Sequence, residues 1–174
     1  MSNCLVIIDV QNYFINKHTK HVIPRIQELT KNQKFDHVVA TRFMNHEESP
    51  YVKLLNWRKM IDKESHTIPG NITKLAEKIF EKDHYSCFTP ELRNFLKESN
   101  IDKLYFVGMD TDCCVLKSAA DAFELGISPF VIEDCCASHY GKSNHRAGIK
   151  VLERLIARRV IKAKDFSKKE PREK

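Results

Sequence analysis

The chain has 174 residues, a length expected for one domain that buries roughly 70% of its unfolded-chain surface without metal or disulfide staples. Hydrophobic residues make up 42% and charged residues 30%, which excludes a disordered or collagen-like chain. The apolar run Cys4 to Ile8 ends at Asp9. It is too short for the apolar core of a signal peptide, and no stretch approaches the roughly 18 residues of a membrane span. The expectation is a soluble, cytoplasmic protein with no membrane partner.

Lys and Arg total 29 against 23 Asp and Glu, a net charge of +6. The basic residues Lys162, Lys164, Lys168, Lys169, Arg172 and Lys174 crowd the end of the chain, with only Asp165, Glu170 and Glu173 against them. This pattern reads as a solvated terminus, so a domain over 1–162 followed by a basic tail over 163–174 is expected. Phe166 is the one aromatic residue within that run, so no base-stacking, nucleic-acid-binding surface is expected.

The elements follow in chain order. Cys4 to Ile8 is a continuous apolar run, suited to a strand covered on both faces. His37 to Thr41 predicts a second strand. Ile72, Leu75, Ala76 and Ile79 have helical spacing, and Lys78 to Glu81 reads either as the end of that helix or as a strand. Thr89-Pro90 predicts an N-cap and a first-turn proline, with Leu92, Phe95 and Leu96 as the apolar stripe. Leu104 to Val107 predicts a strand ending at Gly108. A helix then runs from near Asp112 through Val115, Ala119, Ala122 and Phe123 to a C-cap at Gly126. Pro129 to Ile132 predicts another strand, followed by a helix over Ile149, Leu152, Leu155 and Ile156 that starts near Ser143 or Asn144. Val160-Ile161 is a weak last strand. This alternation predicts one α/β domain, a three-layer sandwich with a mostly parallel sheet of about six strands flanked by helices.

Ligands of open parallel sheets sit beyond the carboxyl ends of the strands. Those ends carry Asp9, Thr41 and Arg42, Lys82, the stretch Asp110 to Cys114, and Glu133 to Cys136. Asp9 directly after an apolar strand is either a cap for the next turn or a carboxylate with a perturbed pKa, fit to act as a general base. Lys82, usually a surface charge type, gains meaning beside an acid and a thiol, where it would hold both ionised. The six cysteines are Cys4, Cys87, Cys113, Cys114, Cys135 and Cys136. They contain no CxxC and match no zinc-module spacing, and the adjacent pairs close poorly into disulfides. Reduced thiols are expected. Cys113 and Cys114 both sit at a helix start, where unpaired N–H groups favour a thiolate, and the residues alone leave them nearly equal as nucleophiles. The five glycines write neither a GxGxxG fingerprint nor a P-loop, so no cofactor is expected.

Three strings carry a resemblance. Asp9-Val10-Gln11-Asn12-Tyr13-Phe14 is similar to a D-x-Q-x-x-F opening. Lys82-Asp83-His84-Tyr85-Ser86-Cys87-Phe88 is similar to K-x-x-Y-S-x-F, and Gly108 to Val115 to a nucleophile turn G-x-x-T-D-x-C-V. Together with Ala119 to Ala122, Gly126 and Glu133-Asp134, they make the chain, from about Leu5 to Leu155, resemble the isochorismatase-like cysteine hydrolases. That family includes nicotinamidases and N-carbamoylsarcosine amidases. The resemblance implies a Rossmann-like sheet and a triad of Asp9, Lys82 and Cys114, which resolves the cysteine ambiguity. It also implies an oxyanion hole from the backbone N–H groups of Asp110 and Cys114, and a cis peptide at Met109–Asp110. Thr111, Phe14 and the segment Tyr51 to Met60 with Trp57 are the candidate substrate contacts. The implied reaction is hydrolysis of a small amide or ureido C–N bond through a thioester. A vinyl-ether hydrolase and a non-catalytic binder of the same fold are the alternatives, and a redox sensor built on the adjacent cysteines is a third. Two departures stand out. Asp110 puts a carboxylate where family members often carry a small apolar residue. Thr41 to His46 also lacks the Asp-x-His of metal-binding nicotinamidases, so no metal is expected. The expected partners are a small-molecule substrate and further copies of the chain.

Overall fold

The structure, a computed structural model, describes residues 2–166. Six strands form one sheet: β1 (Ser2–Ile8), β2 (His37–Phe43), β3 (Lys78–Lys82), β4 (Ile101–Met109), β5 (Ser128–Ala137) and β6 (Val160–Ile161). Their order is β3-β2-β1-β4-β5-β6, and every pairing is parallel. Helices α1 (Val22–Asn32), α2 (Pro50–Leu55), α3 (Gly70–Thr73), α4 (Pro90–Glu98), α5 (Leu116–Glu124) and α6 (Lys142–Ile156) connect them.

The unbroken apolar run of β1 reflects burial on both faces. Cys4, Val6 and Ile8 join a core with Leu92 and Leu96 of α4, Ala119 and Ala122 of α5, and Leu152 and Ile156 of α6. Leu5 and Ile7 join the opposite core with Val22, Ile26 and Leu29 of α1 and Ile72 of α3. This is the three-layer arrangement expected of strand–helix alternation.

The differences from the expected elements have local causes. The helical spacing from Ile72 to Ile79 stops at Thr73, because Lys78 to Lys82 pair in register with Val39 to Phe43 and the ladder takes the backbone hydrogen bonds. The helix α1 was not anticipated, although Val22, Ile26 and Leu29 carry its buried stripe. Thr89 caps α4 as expected, its hydroxyl accepting from Leu92 N at 3.2 Å. Strand β5 runs well past Ile132 to Ala137, across a register shift opposite Phe106 and Gly108. The last described residue, Phe166, packs on the core, its ring 4.8 Å from Tyr105 and 5.2 Å from Phe35. The rest of the expected basic tail, including Lys168, Lys169 and Arg172, lies outside the described residues. Among the described residues no helix is long and apolar enough to cross a membrane.

Two consecutive strands in space, β1 and β4, meet at the point where strand order reverses. There Ile8 pairs with Gly108. Gly108 has φ +111°, and a Cβ on it would sit 2.1 Å from the Ile8 carbonyl oxygen. Only glycine fits, through both conformation and space. Gly108→Ala is expected to cost about 3 kcal/mol or more from strain and overpacking together. Gly70→Ala, where an added Cβ meets nothing within 4 Å, is expected to change stability by less than about 1 kcal/mol. Urea midpoints of the two variants check the contrast.

Candidate active site

Asp9 follows the last residue of β1 with φ 46°. Its backbone N–H donates to Thr41 Oγ1 at 3.1 Å, and the same hydroxyl donates to Asp9 Oδ1 at 2.6 Å. Thr41, on the neighbouring β2, thereby clamps both ends of the residue. The other carboxylate oxygen, Oδ2, lies 2.7 Å from Lys82 Nζ, and neither side chain has any solvent exposure. Lys82 is the last residue of β3, two strands away, and its side chain passes over the Phe43 ring with Nζ 5.2 Å from the centroid. Its ammonium also donates to the carbonyls of His84 at 2.9 Å and Tyr85 at 3.3 Å, and lies 3.5 Å from Cys114 Sγ. Burial opposes the charge on Lys82, but Asp9 and Cys114 outweigh it and hold its pKa at about 12. The lysine is a cation at any working pH.

Cys114 lies beyond β4, in a turn of π-helix over Thr111–Val115 that continues into α5. Val115 N donates to Asp110 O at 3.0 Å, the i to i+5 closure of such a turn; widened turns of this kind gather at functional sites. The peptide bond between Met109 and Asp110 is cis. Helix α6 braces the turn from behind. Asn144 Nδ2 donates to Asp112 Oδ2 at 3.0 Å, and the Thr111 hydroxyl hydrogen-bonds His145 Nδ1 at 2.8 Å. Gly148 makes the close approach possible, since a Cβ there would meet the Asp112 backbone at 2.8 Å.

The helix start was expected to favour a thiolate at Cys114, but burial is the larger influence. The Cys114 thiol is pushed well above its ordinary range by desolvation first and by Asp9, with Lys82 pulling the other way. The resting group is a neutral thiol beside a carboxylate, so a base has to take its proton for it to react. Cys113 is exposed, and desolvation together with Asp112 and Asp110 pushes its thiol up to about 11.

Above Cys114 opens a cavity of about 250 Å³ lined by Phe14, Phe43, Tyr51, Leu55, Trp57, Tyr85, Asp110, Cys113, Cys114, His139 and Tyr140. The aromatic rings brace one another: Tyr51 stands 5.1 Å from Phe43, 5.9 Å from Trp57 and 5.0 Å from Tyr85. Leu55, Tyr85 and Tyr140 remain exposed at the mouth. Burial, then the neighbouring Cys114, Tyr85 and Asp9, raise the Tyr51 phenol, which stays a neutral hydroxyl.

Asp110 is buried, and desolvation raises its carboxyl above the usual range while His139 opposes the rise. Its Oδ1 accepts from His139 N at 2.8 Å and its Oδ2 pairs with His139 Nδ1. The carboxylate that departs from the family pattern is thus committed to a partner.

Of the residues expected from sequence, Asp9, Lys82 and Cys114 converge, and Phe14, Trp57, Asp110 and Cys114 share the cavity. Thr111 does not line it; its side chain is buried against His145. Glu133 and Asp134, read as lying at a strand end, fall inside β5, where Asp134 bonds Arg25 and Ala163 instead. The expected segment Tyr51 to Met60 supplies Tyr51, Leu55 and Trp57 to the wall, whereas sequence reasoning missed Tyr85, His139 and Tyr140. His139 could have been found had the strand been extended through Cys135 and Cys136, since it would then stand just past a carboxyl end. Around Thr41 to His46, Asn45 donates to the carbonyls of Trp57 and Lys59, and His46 meets Asp83 at 3.4 Å. Among the described residues no group of three or more His, Cys, Asp or Glu is placed to hold a metal ion.

Known proteins carry the same frame. A 61-residue stretch is 41% identical to a nicotinamidase of Acinetobacter baylyi, covering 31% of this chain and 28% of that protein. This chain therefore matches little more than a quarter of that relative's length. A solved isochorismatase-like hydrolase from Alkaliphilus metalliredigens superposes with a TM-score of 0.83 at 19% identity, over 96% of this chain and 98% of that one. An N-carbamoylsarcosine amidase from Thermoplasma acidophilum does so with a TM-score of 0.79 at 22% identity, over 94% and 97%. At such identities the two structures speak for the fold alone. The model of the isochorismatase domain, however, matches residues 3–165, nearly the whole described chain, and on that match this protein belongs to the isochorismatase-like hydrolase family.

Proposed function

We propose that this protein hydrolyses a small amide or ureido C–N bond with Cys114 as nucleophile. The observation that carries the reading is the convergence of a buried carboxylate and a buried ammonium on a thiol that lines the cavity. Asp9 Oδ2 lies 2.7 Å from Lys82 Nζ, which lies 3.5 Å from Cys114 Sγ. Asp9 takes the thiol proton as Sγ attacks the substrate carbonyl carbon, forming a C–S bond and a tetrahedral oxyanion. The backbone N–H groups of Asp110 and Cys114 stabilise that oxyanion, worth roughly 3 kcal/mol per donor in comparable sites. The proton on Asp9 passes to the leaving nitrogen as the C–N bond breaks, leaving a thioester and a free amine or ammonia. Asp9 then draws a proton from water as its oxygen attacks the thioester, and the C–S bond breaks to release the acid and restore the thiol. Lys82 keeps its charge throughout and supports each anion in turn. Phe14 and Trp57 wall the substrate.

A panel of small amides and ureides, with ammonia release measured, tests the reading. Asp9→Asn and Lys82→Ala are each expected to lower turnover by at least about 10²-fold. Their thiols should titrate in opposite directions. Removing Asp9 withdraws an influence that raises the Cys114 pKa, and removing Lys82 withdraws one that lowers it. Iodoacetamide rates against pH at Cys114 read both shifts, and movement in the same direction would sink the shared site. Inactivation by limiting iodoacetamide is expected to track the label on Cys114, resolved from Cys113 by fragment masses. Loss that tracked Cys113 with Cys114 unmodified would move the nucleophile. EDTA is expected to leave turnover unchanged; loss that zinc restores would point to ligands not recognised above.

A further inference from the structure

The triad leaves one hydrogen-bonded polar pair of the cavity unused. Asp110 stands at the end of β4, and His139 stands beyond β5, the strand beside it. Both line the cavity that holds Cys114. Their side chains are 5% and 16% exposed, so they form part of its wall. His139 is held at several points. Its backbone N–H and its Nδ1 each bond one oxygen of Asp110, and its carbonyl accepts from Asn16 Nδ2 at 2.9 Å. Its ring packs 5.3 Å from Phe14 and 4.1 Å from Tyr140.

This arrangement sets the imidazole's chemistry. A carboxylate can only accept, so Nδ1 carries the hydrogen, and a ring with no second hydrogen keeps its lone pair on Nε2. A lining made mainly of aromatic rings thereby gains a fixed nitrogen acceptor. An amide N–H brought into such surroundings loses its water and needs a partner, or it costs about as much as a lost hydrogen bond.

We propose that His139, oriented by Asp110, reads the substrate's N–H: Nε2 accepts a hydrogen bond from an amide or ureide nitrogen beside the reacting carbonyl. Substrates with such an N–H are favoured over esters and fully substituted amides. The assignment rests on Cys114 as nucleophile, and it adds to the triad a residue that selects and places the substrate. Asp110 is a positioning residue, acting through the ring it holds.

The test uses two small alkylating probes of similar shape, iodoacetamide, which carries the N–H, and methyl iodoacetate, which does not. Saturation kinetics of labelling at Cys114 are measured for both on the full chain, each normalised to its rate with glutathione. The wild-type protein is expected to prefer iodoacetamide. His139→Phe keeps a ring but loses the acceptor, and should lower that preference about tenfold through weaker saturation, the size of one hydrogen bond. His139→Asn keeps a donor toward Asp110 and loses Nε2, so it should show the same loss with the wall intact. Asp110→Asn loosens the ring and should lower the preference by less. An unchanged preference in both His139 variants, or an equal slowing of the two probes, overturns the role of His139 while leaving Cys114 as nucleophile. Failure of both probes to label Cys114 in the wild-type protein overturns the hydrolase reading itself.

Discussion

The ion pair between Asp9 and Lys82 is the interaction on which the rest of the site depends. Two opposite charges meet at 2.7 Å with no solvent exposure on either side chain. Removing charges from water costs several kcal/mol per ion, and leaving one without the other typically costs about 3–5 kcal/mol. The surroundings meet that cost with hydrogen bonds: Thr41 on one carboxylate oxygen, and the carbonyls of His84 and Tyr85 on the ammonium. The pair ties the end of β3 to the end of β1 across β2, so the loop after Lys82 and the cavity wall it carries are set by the same contact. It also sets the proton inventory of the site. Lys82 remains charged, and Cys114, desolvated beside an anion, rests as a thiol.

The nucleophile turn is presented by a second set of constraints, this one built from close approach. Gly108 lets β4 pass the Ile8 carbonyl, and Gly148 lets α6 lie against the backbone of Thr111 and Asp112. Between these contacts the chain makes its π-helical turn, pinned by Asn144 and His145. A side chain at either glycine would push the turn away from Asp9 and Lys82.

The cavity above is apolar by side-chain type and polar at chosen points. Phe43, Tyr51 and Trp57 exclude water from the ion pair and strengthen it, since interactions between charges weaken with local dielectric. The Asp110–His139 pair puts a polar edge into the same wall, with both carboxylate oxygens engaged by His139.

What the sequence determined by itself was local. Apolar runs of strand length, alternating with helical stripes, specify a doubly covered parallel sheet, and the strings at the strand ends name Asp9, Lys82 and Cys114. Such features depend on neighbours along the chain, so one-dimensional pattern reads them. Where tertiary pairing decides over local spacing, the pattern left the choice open or stopped short: Ile79, readable as helix or strand, joins a strand through its ladder with β2, and β5 runs on through polar Glu133 and Asp134 because it is paired along β4. Only the tertiary structure decided that Thr41 clamps Asp9, that Tyr85 walls the cavity, that Thr111 turns to His145, and that His139 meets Asp110. Each of these joins residues many positions apart through distances of a few ångströms. It also decided the state of Cys114, because desolvation is a property of everything packed around a group, and no stretch of sequence states how deeply its own side chains are buried.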